Sequence, residues 1–194
     1  TWSKSETLES MAWLKRENAK GADVYVRPAG ETNAGLVLVD DLNRGQLARL
    51  KAAGLTPASV TETSPDNFQA WVRVHEKRLE PKLATEVATM LAKEYGGDPN
   101  SADWRHFGRL AGLTNAKPHH KDGNGRSPYV LAHDSGGKVA PAGLELVQQA
   151  AQRVREREAK AERQTRLEAA QTTPERTNGR DPMQTYRHGL KALY

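Results

Sequence analysis

The sequence lacks several features that would direct its interpretation elsewhere. It contains no cysteine among its 194 residues, which excludes disulfides, thiolate zinc sites and cysteine nucleophiles. No apolar run approaches the roughly eighteen residues that a membrane-spanning helix needs, so no membrane partner is expected. Neither a Walker A sequence nor a GxGxxG pattern is present, so phosphate binding by those two loop types is not indicated. No secretory signal is visible, and we expect a cytoplasmic protein.

Apolar residues are also scarce, at 37% of the chain, and the mean hydropathy is −0.78. These values are low for a wholly globular protein, so part of the chain is expected to be a solvated extension. The formal net charge of +5 favours a polyanionic partner, although only weakly. Because the chain begins at Thr1 without an initiator methionine, we expect it to be a fragment of a longer protein.

Hydrophobic periodicity predicts a mixed α/β domain over residues 1–140, a long charged helix over 141–171, and a linker with the start of another helical domain over 172–194. The strands at 24–26 and 36–39 are expected to form a hairpin. The remaining predicted elements are helices at 5–18, 46–53, 81–95 and 143–170, and strands at 59–63, 68–74 and 128–132.

Asp40 and Asp41 close the apolar strand 36–39 and are the first candidate site. Buried carboxylates must be paired or bound to a metal, and Mg²⁺ and Mn²⁺ prefer oxygen ligands. Successive strand residues point to opposite faces, so both aspartates reach one ion only if the chain twists or bulges at Asp40. The plainer interpretation is a turn in which Asp41 caps the following helix.

A third acid, Asp98, follows the helix 81–95 in a Gly-Gly-Asp-Pro turn. A two-metal phosphoryl-transfer site needs carboxylates from separate elements. Asp98 could complete such a site with Asp40 and Asp41 if the strand 36–39 is central in its sheet and near this turn. A simple turn residue before proline is the plainer interpretation, and Asp103 competes for the same role.

The segment 104–126 is basic and rich in loops. Arginine offers a planar fork to phosphate oxygens and lysine a point charge, although a solvated surface loop is the plainer interpretation. Of its three histidines, His106 is the predicted phosphate contact, whereas His119 and His120 look like exposed loop residues. Ser64, in the turn between two strands, could contact a sugar or phosphate or belong to a plain hairpin turn.

Six motifs in order resemble the RepB-type primases of mobilisable IncQ-type plasmids, which are often fused behind a MobA relaxase. The motifs are WLKR at 13–16, DVYVRP at 23–28, GLVLVDDL at 35–42, ETSP at 62–65 with NFQAWV at 67–72, DP and SAD within 98–103, and RHFGRLAG at 105–112 with TN at 114–115.

The resemblance implies an archaeo-eukaryotic primase fold, which is an α+β catalytic core related to the RNA-recognition fold, followed here by a long C-terminal helix. It makes Asp40, Asp41 and Asp98 the catalytic acids and the ligands of Mg²⁺ or Mn²⁺. Gln69 stands where the wider superfamily usually has histidine. The expected nucleotide-binding residues are then Ser64, Arg105, His106, Arg109, Asn115 and Lys117.

The implied activity is that of a DNA primase, which synthesises short primers on single-stranded plasmid origin DNA by nucleotidyl transfer. Its ligands would be nucleoside triphosphates and the template, with Trp71 or Trp104 stacking on bases. A plasmid helicase, an initiator or a fused relaxase are further expected partners. Two alternatives stay open: a non-catalytic single-stranded-DNA or origin-binding module, and a relaxase-associated scaffold whose charged helix docks a partner.

Overall fold

The structure, a computed structural model, describes residues 1–30 and 33–172. A compact unit spans Thr1–Glu156, and the described residues from Arg157 onward fall outside it. The helices are α1 Lys4–Glu9, α2 Met11–Ala19, α3 Arg44–Ala52, α4 Pro81–Tyr95 and α5 Gly143–Thr172. The strands are β1 Tyr25–Val26, β2 Leu36–Leu42, β3 Ser59–Ser64, β4 Asn67–Arg73, β5 Gly108–Arg109 and β6 Leu131–Asp134.

An antiparallel sheet with the strand order β2-β4-β3-β6 forms the centre of the first unit. The alternation predicted for 68–74 is confirmed, because Phe68, Ala70 and Val72 are all buried in the hydrophobic core. Alternate residues of a strand lie on the same face of the sheet, and the face that carries these three residues packs against α3 and α4. The helices contribute Leu47, Leu50, Val87 and Leu91 to the same core.

The helix α4 matches its prediction at both ends. Pro81 occupies its first turn, where the missing N–H costs nothing, and Gly96 ends it with a φ of 77°, in the left-handed region that glycine tolerates. The long helix predicted from residue 143 is also confirmed as α5. Of the linker and helix predicted over 172–194, Thr172 is the last residue of α5, and the rest lies outside the described residues.

The predicted hairpin of the first two strands is wrong. The strand β1 pairs with β5, Tyr25 opposite Arg109, in a separate two-stranded sheet, whereas β2 pairs with β4. The requirement that β2 be central is also not met, since β2 lies at one edge of the sheet. The tight turn between Ser64 and Asn67 pairs β3 with β4 directly, so β2 meets the remaining edge of β4.

Three smaller predictions also need correction. The helix expected over 5–18 is divided at Ser10 into α1 and α2, and Leu8 on α1 is 63% exposed. The strand expected at 128–132 is shifted to Leu131–Asp134, and the loop 104–126 contains β5. Elements of two to four residues carry too little periodicity to fix their bounds. None of the described helices has the length and apolar character needed to cross a bilayer.

Candidate active site

The end of β2 contains a β-bulge. Pairing with β4 is regular as far as Val39 opposite Ala70, and then Leu42 lies opposite Phe68, so β2 has one more residue than β4 over this stretch. Asp41 has a φ of 58°, the left-handed conformation. Bulges of this kind bend a strand and re-aim its side chains. The bulge that both aspartates would need in order to reach one ion is therefore present.

The bulge gives the two aspartates different surroundings. Asp40 is half-buried, and its Oδ1 accepts a hydrogen bond from the Asp41 backbone N–H at 2.8 Å. Asp41 is exposed, and its Oδ1 accepts one from Asn67 Nδ2 at 2.9 Å. The interpretation of Asp41 as a helix cap is wrong, because Asn43 caps α3 and accepts a hydrogen bond from the Gln46 N–H at 2.9 Å.

Asp98 is brought to Asp40 by the turn after α4. The Asp98 N–H donates to the Asp40 carbonyl at 3.0 Å. The Ser101 hydroxyl lies 2.9 Å from Asp98 Oδ2 and 3.4 Å from Asp40 Oδ2, which links the two carboxylates. This approach needs glycine at position 97, since a Cβ there would lie 2.8 Å from Val39 Cγ1. Asp98 therefore meets Asp40 although β2 is an edge strand.

Burial, the largest cause, raises the pKa of Asp40. The Gln69 hydrogen bond, the Asp41 N–H and the charge of His106 oppose this rise. In contrast, the pKa of Asp98 is lowered, chiefly by the hydrogen bond from the Asn100 N–H. Among the ion pairs of the described residues, none includes Asp40, Asp41 or Asp98. These carboxylates therefore form a patch of negative charge that attracts a cation.

In the part of the chain that the structure describes, no three acidic or histidine side chains form a ready metal-ligand cluster. Mg²⁺ does not require one, because it is usually held by one or two carboxylates together with waters and substrate phosphates. Asp40 and Asp98, joined by one hydroxyl, suit that mode of binding. Asp41 as a further ligand stays a prediction, since its carboxylate is bonded to Asn67.

His106 lies on a loop that is joined to this patch by the Asp103 N–H, which donates to the Ser101 carbonyl at 3.1 Å. Its Nδ1 lies 3.6 Å from Asp103 Oδ2, and the other oxygen of Asp103 accepts the Arg105 N–H at 2.7 Å. Asp103 thus supports the loop that carries His106. Of the two candidate third acids, Asp98 is the one in contact with Asp40.

Arg109, a predicted nucleotide contact, is only 5% exposed. Its guanidinium donates two hydrogen bonds to Asp23, at 2.6 and 2.9 Å, and one to the Tyr25 hydroxyl at 2.9 Å. Its backbone N–H donates to Gln69 Oε1 at 2.7 Å, and Gln69 also hydrogen-bonds Asp40. Arg109 therefore holds the wall of the site in place, and its guanidinium is committed to Asp23.

The other predicted nucleotide contacts divide into buried and exposed residues. Ser64 is 4% exposed and Asn115 1%, and the Asn115 amide donates to the Thr63 carbonyl at 2.9 Å, so both shape the site from within. Arg105 and Lys117 are exposed and free to approach a ligand.

Sequence analysis missed His120, which was expected to be an exposed loop residue. It is half-buried at the end of a 3₁₀ helix, Pro118–His120. Burial is the largest cause that lowers its pKa, followed by the charges of His119 and Lys117. The proline that starts this short helix was the one local signal of order in the loop.

Comparison with known proteins adds family information to this geometry. Residues 3–172 match the RepB DNA-primase N-terminal domain family. The chain is 47% identical over 195 residues to Mobilization protein A of Escherichia coli, which covers 99% of this chain and 27% of that protein. It is 31% identical over 177 residues to a DNA primase of Acidithiobacillus ferrooxidans, covering 88% of this chain and 46% of that protein. The chain thus spans less than half the length of these curated relatives.

Two solved structures share the fold. The crystal structure of primase RepB′ has a TM-score of 0.81 and 44% identity, and the match covers 100% of this chain and 64% of that chain. The catalytic domain of primase RepB′, crystallised in complex with initiator DNA, has a TM-score of 0.75 and 49% identity, with 81% of this chain and 80% of that chain covered. The α+β fold with a long C-terminal helix, predicted from the resemblance, is confirmed.

Proposed function

Because this chain belongs to the RepB DNA-primase N-terminal domain family, we propose that it is a DNA primase that makes short primers on single-stranded plasmid origin DNA. Its similarity to Mobilization protein A and to a DNA primase supports this activity. The crystal structure of the catalytic domain of primase RepB′ in complex with initiator DNA supports a DNA ligand. A plasmid helicase, an initiator or a fused relaxase are proposed as partners of the longer protein.

The observation that carries the proposal is the link between Asp40 and Asp98 through Ser101. It joins carboxylates from two elements that are 58 residues apart in the printed sequence. Asp40 is half-buried and has no ion pair in the described part of the chain, and a carboxylate that is partly desolvated in this way is costly for a fold. Its presence in the described structure is explained if a cation and a triphosphate complete the site.

The proposed reaction is nucleotidyl transfer. The 3′-hydroxyl of the growing primer loses its proton to water, its oxygen forms a bond to the α-phosphorus, the bond from that phosphorus to the bridging oxygen breaks, and pyrophosphate leaves. Mg²⁺ or Mn²⁺ bound by Asp40 and Asp98, with Asp41 as a further ligand, would lower the pKa of the hydroxyl and neutralise the leaving oxygens.

The other side chains act by binding and orientation. His106 is joined through Asp103 to Ser101, and its ring N–H would bind a triphosphate oxygen. Arg105 and Lys117, both exposed, would add positive charge for the same phosphates. Gln69 and Ser101 hydrogen-bond Asp40 and fix its orientation. Holding reacting groups in place in this way is a large part of phosphoryl-transfer catalysis.

Primer synthesis on an origin-derived single-stranded oligonucleotide, with Mg²⁺ or Mn²⁺, tests the proposal. The unmodified chain should extend primers, and Asp98→Ala should lose that activity while keeping its circular-dichroism spectrum. Glu145→Ala, an exposed acid on α5, is the matched control and should retain full activity. Full activity of Asp98→Ala would contradict the site. DNA binding without any synthesis by the unmodified chain would favour the non-catalytic module instead.

A further inference from the structure

An open groove of about 700 Å³ lies beside the site. It is lined by Tyr25, Arg27, Asp103, Arg105, His106 and Phe107. One wall is β1 with the residue that follows it, and the other is the loop before β5. The groove combines two exposed aromatic rings, those of Tyr25 and Phe107, with arginines, and neither ring has a role in the reaction proposed above.

Both rings are exposed yet held in place. Tyr25 is 43% exposed and Phe107 46%. The Arg27 guanidinium lies 4.6 Å from the centre of the Phe107 ring, and the Arg109 guanidinium lies 4.8 Å from that of Tyr25. Cation–π contacts of this kind restrain a ring. A restrained, exposed ring loses little entropy when another flat group stacks on it, so these rings are preorganised for such a contact.

The two walls of the groove are tied together. Arg27 Nη1 donates to the Arg105 carbonyl at 2.8 Å, and the pairing of Val26 with Gly108 continues the connection through β1 and β5. Arg27 thus spans from one wall to the other while its guanidinium also covers Phe107. The groove is part of the folded structure and does not need a ligand to form.

The charges in the groove favour an anionic occupant. Arg27 and Arg105 are both exposed. The single acid, Asp103, is occupied, since its oxygens contact the Arg105 N–H at 2.7 Å and His106 Nδ1 at 3.6 Å. An anionic ligand with flat rings that stack on aromatic side chains is a single-stranded nucleic acid. In a duplex the base faces are already stacked on one another, so a single strand suits the rings better.

Asp103 connects this groove to the aspartates. It lines the groove, and its N–H donates to the carbonyl of Ser101 at 3.1 Å. The hydroxyl of Ser101 lies 2.9 Å from Asp98 Oδ2 and 3.4 Å from Asp40 Oδ2. A strand in the groove would therefore pass directly beside the place where the proposed transfer occurs. That position suits the template, whose bases must be presented at the reacting centre.

We propose that this groove binds the single-stranded template, with bases stacked on Phe107 and Tyr25 and phosphates bound by Arg27 and Arg105. The proposal rests on the proposed primase function and adds the path of the template. It assigns the stacking to these two rings and not to Trp71 or to Trp104, which lines a separate pocket with Gly30 and Leu79. Trp71 is half-buried, with its indole packed so closely under Gly108 that a Cβ there would lie 2.9 Å from Nε1.

Fluorescence anisotropy with a short labelled single-stranded oligonucleotide, in EDTA and without nucleotide, tests the groove directly. Phe107→Ala should weaken binding about tenfold, within the range for loss of one base-stacking ring, and Phe107→Trp should restore it. Arg27→Ala should weaken binding and lower the salt slope by about 0.7, as expected for one phosphate contact on a single strand.

The matched controls are Tyr129→Ala, an aromatic residue that is 66% exposed outside the groove, and Arg16→Ala, an exposed arginine on α2. Both should bind the oligonucleotide within about twofold of the unmodified chain, as expected for residues away from the binding surface. Unchanged binding by Phe107→Ala and Arg27→Ala would overturn the proposal. So would a loss confined to nucleoside triphosphate, titrated separately, because the groove would then hold the incoming nucleotide.

The two proposals fail in different ways. If the groove variants bind normally while the unmodified chain makes primers, the template path is wrong and the primase function stands. If the groove variants lose oligonucleotide binding while the unmodified chain makes no primers, the groove stands as a single-strand site and the catalytic function is wrong.

Discussion

Asp23 and Asp40 are two partly buried aspartates with opposite surroundings. Asp23 receives two hydrogen bonds from the Arg109 guanidinium, at 2.6 and 2.9 Å, and one from the Ala116 N–H at 2.7 Å. The Arg109 hydrogen bonds are the main reason that its pKa is lowered. Asp40 has no ion pair in the described part of the chain, and burial raises its pKa.

This difference shows that the carboxylate of Asp23 stabilises the fold, whereas the carboxylate of Asp40 is left available to bind a cation. Partners that neutralise a buried charge favour the ionised form of the group, and desolvation without such partners disfavours that form. Gln69 lies between the two regions, because it hydrogen-bonds Asp40 and also accepts the Arg109 N–H. The paired aspartate thus anchors the wall beside the unpaired one. Variants of each should change different properties.

The largest effect is expected at Asp40. Asp40→Asn should lower primer synthesis by roughly 10³-fold or more, because the lost charge removes several kcal/mol of transition-state stabilisation. Its free energy of unfolding in EDTA should not fall, since a desolvated charge is replaced by a neutral amide. Primer extension and urea denaturation measure the two quantities. If Asp40→Asn lost much of its stability but kept primer synthesis, Asp40 would be the aspartate that stabilises the fold, contrary to the comparison.

The second effect concerns the ion pair. Asp23→Asn should lower the free energy of unfolding by about 3 kcal/mol, because it leaves the Arg109 charge buried without its partner. The matched control is Asp122→Asn, which breaks the exposed Asp122–Arg126 pair and should be indistinguishable from the unmodified chain in urea denaturation. Equal effects of the two substitutions would show that burial does not distinguish these pairs.

The pH dependence of the free energy of unfolding should follow the titration of Asp23. Its pKa is lower in the folded state, so it contributes stability above the unfolded value of about 3.9 and loses it as the pH falls through the folded pKa. The stability difference between the unmodified chain and Asp23→Asn should therefore shrink between about pH 7 and about pH 3. A difference that stayed constant over this range would contradict the ion pair as its source.

How far the sequence determined these conclusions depends on the range of each interaction. The alternation of β4 and the apolar face of α4 are local patterns and were predicted. The opposed directions of neighbouring strand residues showed that a shared ion would need a bulge at the aspartate pair, but not that the bulge forms. Pairing of Asp23 with Arg109 joins residues 86 apart, and β1 and β5 have two residues each. Contacts of that kind leave no periodic pattern in the sequence. The ion pair with Asp23 was therefore not predicted, and Arg109 was predicted to bind a ligand instead.

The smallest expected effect tests how the fold directs the aspartate pair. Asp41→Gly and Asp41→Ala remove the same carboxylate, but only glycine adopts the φ of 58° without strain. The glycine variant should be more stable in urea by about 1 kcal/mol, the cost of a left-handed backbone for alanine. Asp66, with a φ of 56° in an exposed turn, provides the control. Its glycine and alanine variants should differ by a similar amount in stability while both keep full primer synthesis. Equal stability of the two Asp41 variants would show that strand pairing alone sets the bulge, and that the left-handed residue adds no constraint on where Asp40 points.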